Sequence, residues 1–163
     1  MILSVVILSL VTIQRLGELI LARRNTRRLL ARGAIESGAG HYPFIVLLHA
    51  AWLAGLWLLA WDRPLNLWLL AVYVALQAAR AWVIASLGDR WTTRIITLPG
   101  EALVRRGPYR FVSHPNYLVV AAEILILPLA FGLGWYAAVF SLLNVAMMAV
   151  RISSEAEALR ASS

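Results

Sequence analysis

The sequence predicts an all-α fold, a polytopic membrane helical bundle of about five transmembrane helices that closes with a C-terminal helical hairpin. Three observations point to it. The chain is 61% hydrophobic with a mean hydropathy of +0.77, where a soluble domain is roughly half apolar. Only 14% of its residues are charged, against about 25% in a soluble domain. Its apolar residues gather into runs near the ~20 that a helix needs to cross a bilayer, joined by short segments rich in arginine, glycine or proline. One membrane domain over residues 1–163 follows, with three spans in 1–88 and a polar loop, hairpin and tail in 89–163.

The first span is Met1 to Ala22, apolar apart from Gln14, Arg15 and Glu18. It has no charged start and no small-residue cleavage site, so a removable signal peptide is not expected. Arg15 and Glu18 lie one helical turn apart and can pair. They form either an intramembrane salt bridge that orients the helix or part of a site wall, since ionisable groups in a span face the bundle interior. Arg23, Arg24, Arg27, Arg28 and Arg32 follow and mark the cytoplasmic side, which places the N-terminus outside. Gly33 to Gly40 reads as a polar linker, and Tyr42 to Trp61 as the second span. Asp62-Arg63-Pro64 makes an outer turn between the interfacial anchors Trp61 and Trp68. Leu65 to Leu87 is the third span, stopped by Gly88. Its Gln77 and Arg80 share a face, and Arg80 either snorkels to the inner interface or projects into a cavity. Thr92 to Leu98 is β-branched and suits a short extended stretch, and Pro99-Gly100 marks a turn. Tyr117 to Phe131 is the fourth span, kinked or ended by Pro128. Gly132-Leu133-Gly134 forms a tight hairpin turn into the fifth span, Trp135 to Ile152.

The formal net charge is +7, and all fifteen Lys and Arg residues are arginine. Arg63 alone falls on the predicted outer side. That asymmetry is the positive-inside pattern and not a nucleic-acid surface; five spans then leave the C-terminus in the cytoplasm. The absence of cysteine excludes thiolate catalysis and thiolate metal ligation. His41 and His49 are eight residues apart, without the one-turn spacing and nearby carboxylates of a metal site, so no metal is expected.

Chemistry is expected in the polar stretch from Arg105 to Tyr117. Pro115 suits the first turn of a helix, with Ser113 or His114 at its N-cap. Such a start directs free N–H groups and a positive dipole end into the loop, a seat for a carboxylate or phosphate. Arg105, Arg106 and Arg110 add charge, and Tyr109 and Tyr117 an aromatic wall. This describes an anion-and-ring site suited to a nucleotide-like cofactor, hence a cytoplasmic cofactor-binding loop. Glu123 lies two turns after Asn116 on the same helical face, and an acid inside a span is usually functional. Asn144, Arg151 and Glu155 likewise share one face of the last span, where Arg151 and Glu155 are spaced to pair.

Gly107-Pro108-Tyr109-Arg110, then His114-Pro115-Asn116-Tyr117, a glutamate in the following span, and Arg151-x-x-x-Glu155-x-x-x-Leu159 together resemble the isoprenylcysteine carboxyl methyltransferase family. These are integral membrane enzymes dependent on S-adenosylmethionine. The resemblance covers the C-terminal half. The first half, with its basic loops and His41-Tyr42-Pro43, is similar to small bacterial members grouped with a membrane methyltransferase that acts on alkylpyrones. The resemblance implies that Tyr109, His114, Pro115, Asn116 and Tyr117 shape an S-adenosylmethionine pocket, and that Arg151 and Glu155 stand at the cofactor and substrate end of the last helix; the face that Glu123 shares with Asn116 directs it toward the same cofactor pocket. Ser113 stands where the family commonly has arginine. Glu155 is followed by Ala156 and then Glu157, where the family commonly has paired acids. Loss of that arginine favours a hydroxyl acceptor over a carboxylate.

The expected function is therefore methyl transfer from S-adenosylmethionine to an oxygen of a lipophilic, membrane-borne substrate: an alkylpyrone, a phenolic lipid or a prenyl-type lipid. His114 and Glu155 are candidate bases, and Arg151 a candidate for orienting an oxyanion. Isoprenylcysteine-type carboxyl methylation, phospholipid N-methylation and NADPH-dependent membrane reduction are the alternatives; membrane sterol reductases carry a string similar to His-Pro-Asn-Tyr. The partners expected are an acceptor from the bilayer and membrane lipids, not nucleic acid, and the location is a bacterial inner membrane.

Overall fold

Each apolar run becomes one helix. The computed structural model describes residues 2–102 and 104–161. Helix α1 spans Ile2–Ala31, α2 Tyr42–Ala60, α3 Leu67–Leu87, α4 Pro115–Ala130 and α5 Gly134–Ala161. Among the described residues, four helical segments are long and apolar enough to cross a membrane: Ile2–Ala31, Ala39–Ala60, Leu67–Arg90 and Gly134–Glu155. The predicted fourth span differs from these. Helix α4 has 16 residues, ~24 Å at 1.5 Å per residue, short of the ~30 Å hydrocarbon core. Proline limits it at both ends: Pro115 occupies its first turn, and the chain leaves the helix two residues after Pro128. By contrast α1, with 30 residues, reaches ~45 Å. It is continuous from the first apolar run through its arginine block, so the membrane-length segment and the basic segment are one rod.

The joints follow local chemistry. Asn66 caps α3, its side-chain oxygen accepting from the N–H groups of Trp68 and Leu69. Helix α4 ends in a Schellman motif, with Leu133 N–H bonding Pro128 O and Gly132 N–H bonding Leu129 O. Gly132 supplies the required positive φ of 72°, and the turn reverses directly into α5.

The exterior of the bundle is apolar: Leu10, Ile13, Leu47, Leu58, Trp68, Val74 and Leu142 are all exposed, as lipid-facing positions should be. Away from the loops, Leu8, Val11, Trp52, Leu56, Tyr73, Ile124, Leu127, Phe131 and Tyr136 form the packed core. Tyr136 donates from its hydroxyl to the carbonyl of Trp52 at 2.8 Å, locking α5 to α2.

At the opposite, loop end the all-α expectation needs one amendment. The linker after α1 contains strand β1 (Ile35–Ser37), which pairs antiparallel with β2 (Ile95–Thr97) in the register Ile35↔Thr97, Glu36↔Ile96, Ser37↔Ile95. The extended stretch expected within Thr92 to Leu98 is therefore β2, and the polar linker is its partner. Arg94 braces the ribbon through Glu36 at 2.7 Å. The fully buried Asn25 of α1 donates to the carbonyl of Trp91 at 2.9 Å, fixing the ribbon's root.

Candidate active site

The loop motifs are held by packing that depends on individual residues. Gly107 opens a 3-10 turn, Gly107–Arg110, at φ 57°. A Cβ there would lie 2.0 Å from Ser86 Oγ and 3.2 Å from the Trp82 indole nitrogen, so only glycine lets the turn press against α3. Next to it, Arg106 Nε donates to Ser86 O at 2.7 Å. The same turn carries Tyr109 and Arg110. His114 occupies the N-cap position of α4 without making a side-chain cap bond, and Pro115 sits at its first turn. The His114 ring is thereby left to stack on Tyr117, with centroids 5.1 Å apart and planes 11° from parallel.

Tyr117 joins the last helix to this start. Its hydroxyl accepts from Arg151 Nε at 2.8 Å and donates to Glu155 Oε2 at 2.7 Å. Arg151 and Glu155 thus meet through the tyrosine hydroxyl, and not as the expected i, i+4 ion pair. Arg151 Nη1 also donates to the carbonyl of Thr93 at 2.8 Å, and His114 Nδ1 lies 3.8 Å from Glu155 Oε2.

Two cavities meet at this point. The larger, of about 1140 Å³, is lined by β2, the polar loop, Tyr109, His114, Asn116, Tyr117, Arg151 and Glu155. The smaller, of about 300 Å³, runs between the spans, and its apolar lining includes Leu16, Leu19, Ile45, Val46, Leu53, Val120, Met147 and Met148. Leu16 and Val46 are also exposed on the bundle's outer surface, at 56% and 41%, so the small cavity opens sideways between α1 and α2. Trp91, Thr92, Asn116, Tyr117 and Arg151 line both cavities and form their common wall. Asn116 Oδ1 is buried there without a hydrogen-bond partner. Burial, and then the Glu155 carboxylate, push the Tyr109 phenol up to about 12.

The structure brings Tyr109, His114, Asn116, Tyr117, Arg151 and Glu155 together around the large cavity. Pro115 is buried in the turn beneath them. Glu123 lies elsewhere. It is fully buried, lines neither cavity, and accepts from Arg15 Nη2 at 2.8 Å, Arg80 Nη1 at 2.9 Å and Gln77 Nε2 at 2.9 Å. Two turns of helix separate Asn116 from Glu123, ~10 Å, enough to move an acid from the loop end into the bundle. Glu18 completes the group, pairing with Arg15 at 3.1 Å and taking a two-pronged contact from Arg80. Arg80 therefore turns inward and does not snorkel. Arg15, Glu18 and Arg80 also line the small cavity, so the salt bridge and the wall are the same object.

Tyr42, Thr93 and Arg94 escaped the sequence reading. The Tyr42 hydroxyl lies 3.0 Å from Thr93 Oγ1, and the Arg94 guanidinium stacks over the Tyr42 ring at 4.5 Å. The one available signal was the position of Tyr42 at a helix start beside His41 and Pro43.

The chain has relatives among known proteins. The chain is 38% identical over 159 residues to the uncharacterized protein YpbQ of Bacillus subtilis strain 168, covering 94% of this chain and 95% of that one. An uncharacterized protein of Haemophilus influenzae strain Rd is 27% identical over 151 residues, covering 89% and 88%. No solved structure matches the chain. The sequence profile of the isoprenylcysteine carboxyl methyltransferase family matches residues 68–161, from the start of α3 through α5, and includes every residue of the common wall. The chain belongs to this family of membrane methyltransferases.

Proposed function

We propose that the protein transfers a methyl group from S-adenosylmethionine to an oxygen of a lipophilic acceptor that enters from the bilayer. The observation that carries this reading is the shared wall. A large cavity at the loop end, carrying the polar and charged side chains of the loop, and a small apolar cavity open to lipid touch at Asn116, Tyr117 and Arg151. A water-soluble donor and a membrane-soluble acceptor need such a boundary.

The large cavity fits the cofactor, which methyltransferases of this family generally use. The unpartnered Asn116 Oδ1 offers an acceptor to an amino or hydroxyl group. Tyr109 and the stacked His114–Tyr117 pair offer ring faces. Arg105 and Arg110 line the cavity and suit a carboxylate. When bound, the cofactor supplies an electrophilic methyl group. The remaining work falls to the chain. The acceptor oxygen must be held in line, and positioning of this kind lowers a barrier substantially. Arg151, fixed by Tyr117 and the Thr93 carbonyl, presents a preorganised positive charge to an oxygen that becomes anionic. The proton leaving that oxygen has a route through the Tyr117 hydroxyl to Glu155, with His114 beside it. Tyr109 stays a neutral donor throughout.

The membrane arrangement supported by charge is five crossings with α4 as the short one, the loop end cytoplasmic and the N-terminus outside a bacterial inner membrane. Arg23, Arg24, Arg27, Arg28, Arg32, Arg90, Arg94, Arg105, Arg106 and Arg110 crowd the loop end, while Arg63 follows α2 at the other. A phenolic or enolic lipid suits Arg151 as an oxyanion partner.

The test is direct. Purified protein in lipid nanodiscs should bind S-adenosylmethionine and transfer a labelled methyl group to the hydroxyl of a long-chain alkylphenol. Absence of cofactor binding across several lipid compositions, or binding of NADPH in its place, overturns the reading.

A further inference from the structure

We propose that the small cavity seats an acceptor carrying two polar groups: the oxygen to be methylated at the Asn116–Tyr117–Arg151 wall, and a hydroxyl about two helical turns deeper that is held by the Asn144 amide. The proposal rests on the reading of this cavity as the acceptor site. It assigns Asn144 as a specificity residue.

Asn144 is 2% exposed, lines the small cavity, and its Nδ2 has no hydrogen-bond partner. An amide left unpaired in a buried site costs ~1–3 kcal/mol. Its near neighbours along α5 at the cavity are Met147 and Met148; leucine at 144 would continue that apolar lining without the cost. An unsatisfied donor on a residue that lines a cavity is a donor awaiting a ligand. Asn144 and Arg151 lie seven residues apart on one face of α5, ~10 Å along the axis. The cavity is therefore polar at both ends and apolar along its sides.

The deep end also contains an acceptor. His49 Nδ1 lies 2.8 Å from the Ile45 carbonyl. A carbonyl only accepts, so this nitrogen carries the proton and Nε2 keeps its lone pair. From the lining of the same cavity, Asn144 offers a hydroxyl a donor and His49 offers it an acceptor. The charged groups facing this end, Arg15, Glu18 and Arg80, are already committed to one another and to Glu123. A volume of about 300 Å³ equals roughly ten waters' share of liquid, enough for a ring-sized head. The tail then leaves sideways past Leu16 and Val46.

The experiment compares 4,4′-dihydroxybiphenyl, with a hydroxyl at each end of a rigid head, with 4-hydroxybiphenyl. Each is titrated calorimetrically into nanodisc-embedded protein without cofactor, with empty nanodiscs subtracted. Wild type should bind the diol about 5-fold more tightly, the value of one neutral hydrogen bond. Asn144→Leu should bring the ratio to about 1 while keeping its affinity for the mono-ol. Asn144→Ser, which retains a shorter donor, should fall between. Equal affinities in wild type, no binding of either probe, or an undiminished ratio in Asn144→Leu would each overturn the proposal. Loss of both probes by both variants would also overturn it, by marking Asn144 as a packing residue. S-adenosylmethionine titrated separately tests the methyltransferase reading, so the two can fail independently.

Discussion

Replacing Glu123 by glutamine should be among the most destabilising single changes in the protein that create no cavity. Glu123 is fully buried, and its two oxygens accept three hydrogen bonds, from Arg15, Arg80 and Gln77. With Glu18 it balances two guanidiniums with two carboxylates. Glutamine keeps the shape and one acceptor oxygen but leaves one carboxylate facing two arginines. Two opposing magnitudes apply. Interhelical hydrogen bonds in membrane proteins average only ~0.6 kcal/mol, so three of them would predict a loss near 2 kcal/mol. Removing one member of a buried ion group costs ~3–5 kcal/mol, because a charge is left uncompensated. Here the second effect should win: the glutamine dipole does not neutralise the excess guanidinium, and the nearest carboxylate, Glu18, is already shared. The expected loss is therefore about 3–5 kcal/mol, measured by equilibrium unfolding in mixed micelles with increasing SDS. Arg15→Gln combined with Glu123→Gln restores neutrality and should recover at least about 2 kcal/mol relative to additivity. A single-mutant loss below about 1 kcal/mol, or strict additivity in the double mutant, would refute the claim that charge balance holds these helices together.

Three further outcomes follow from the site and the packing. Tyr117→Phe removes the hydroxyl that links Arg151 to Glu155; hydrogen bonds to charged groups contribute ~1.5–3 kcal/mol, so methyl transfer should fall about 10- to 100-fold with cofactor affinity little changed, as read by single-turnover kinetics and calorimetry. Burial, then Glu155, hold Tyr109 protonated up to about 12. The neutral form is thus the only one present below pH 10, and Tyr109→Phe should leave the shape of the pH–rate profile between pH 6 and 10 unaltered while raising KM for S-adenosylmethionine. Gly55→Ala would place a Cβ 2.2 Å from Tyr136 Oη, forcing that hydroxyl off the Ala51 and Trp52 carbonyls; a loss of about 1–3 kcal/mol is expected from overpacking, visible as a lowered Tm in detergent.

Elements whose cause is local were legible in the sequence. Proline at the second residue of His-Pro-Asn-Tyr announced the start of α4, Gly88 the end of α3, and the Gly-Leu-Gly turn the hairpin. Spacing along a single helix held for Arg15 and Glu18 and failed for Arg151 and Glu155, which the Tyr117 hydroxyl joins in place of a direct ion pair. Spacing did not extend across helices. Asn116 and Glu123 share a face of α4, but which neighbours stand at each level depends on how far α1 and α3 are displaced along the bundle, and no period within α4 encodes that. The β1–β2 ribbon was half visible for a similar reason: three residues per strand are too few to show a period of two, and their partners lie about sixty residues apart in the chain. Tyr42 and Thr93 remained hidden because aromatic and β-branched residues at a helix mouth look like ordinary interface residues until the ribbon brings them together.

The shortness of α4 is the feature that makes a site out of a bundle. Its end away from the loops is tied to α5 by a tight reversal at Gly132, so the missing length appears entirely at the loop end. There α1 and α5 continue beyond the start of α4, and the gap above Pro115 is the large cavity. The same shortness sets the depth of Tyr117, close enough to the loop to meet Glu155 and deep enough to border the space between the spans. The small cavity that runs between the spans needs a floor. Arg15, Glu18 and Arg80 line it, and the fully buried Glu123 bonds Arg15 and Arg80. As a neutral, mutually bonded set they can border that cavity on one side and hydrocarbon side chains on the other, where a lone charge could do neither. The ion group is therefore the floor on which the site is built. Loosening it by Glu123→Gln should weaken acceptor binding before it weakens cofactor binding, because the small cavity touches that floor and the large one does not.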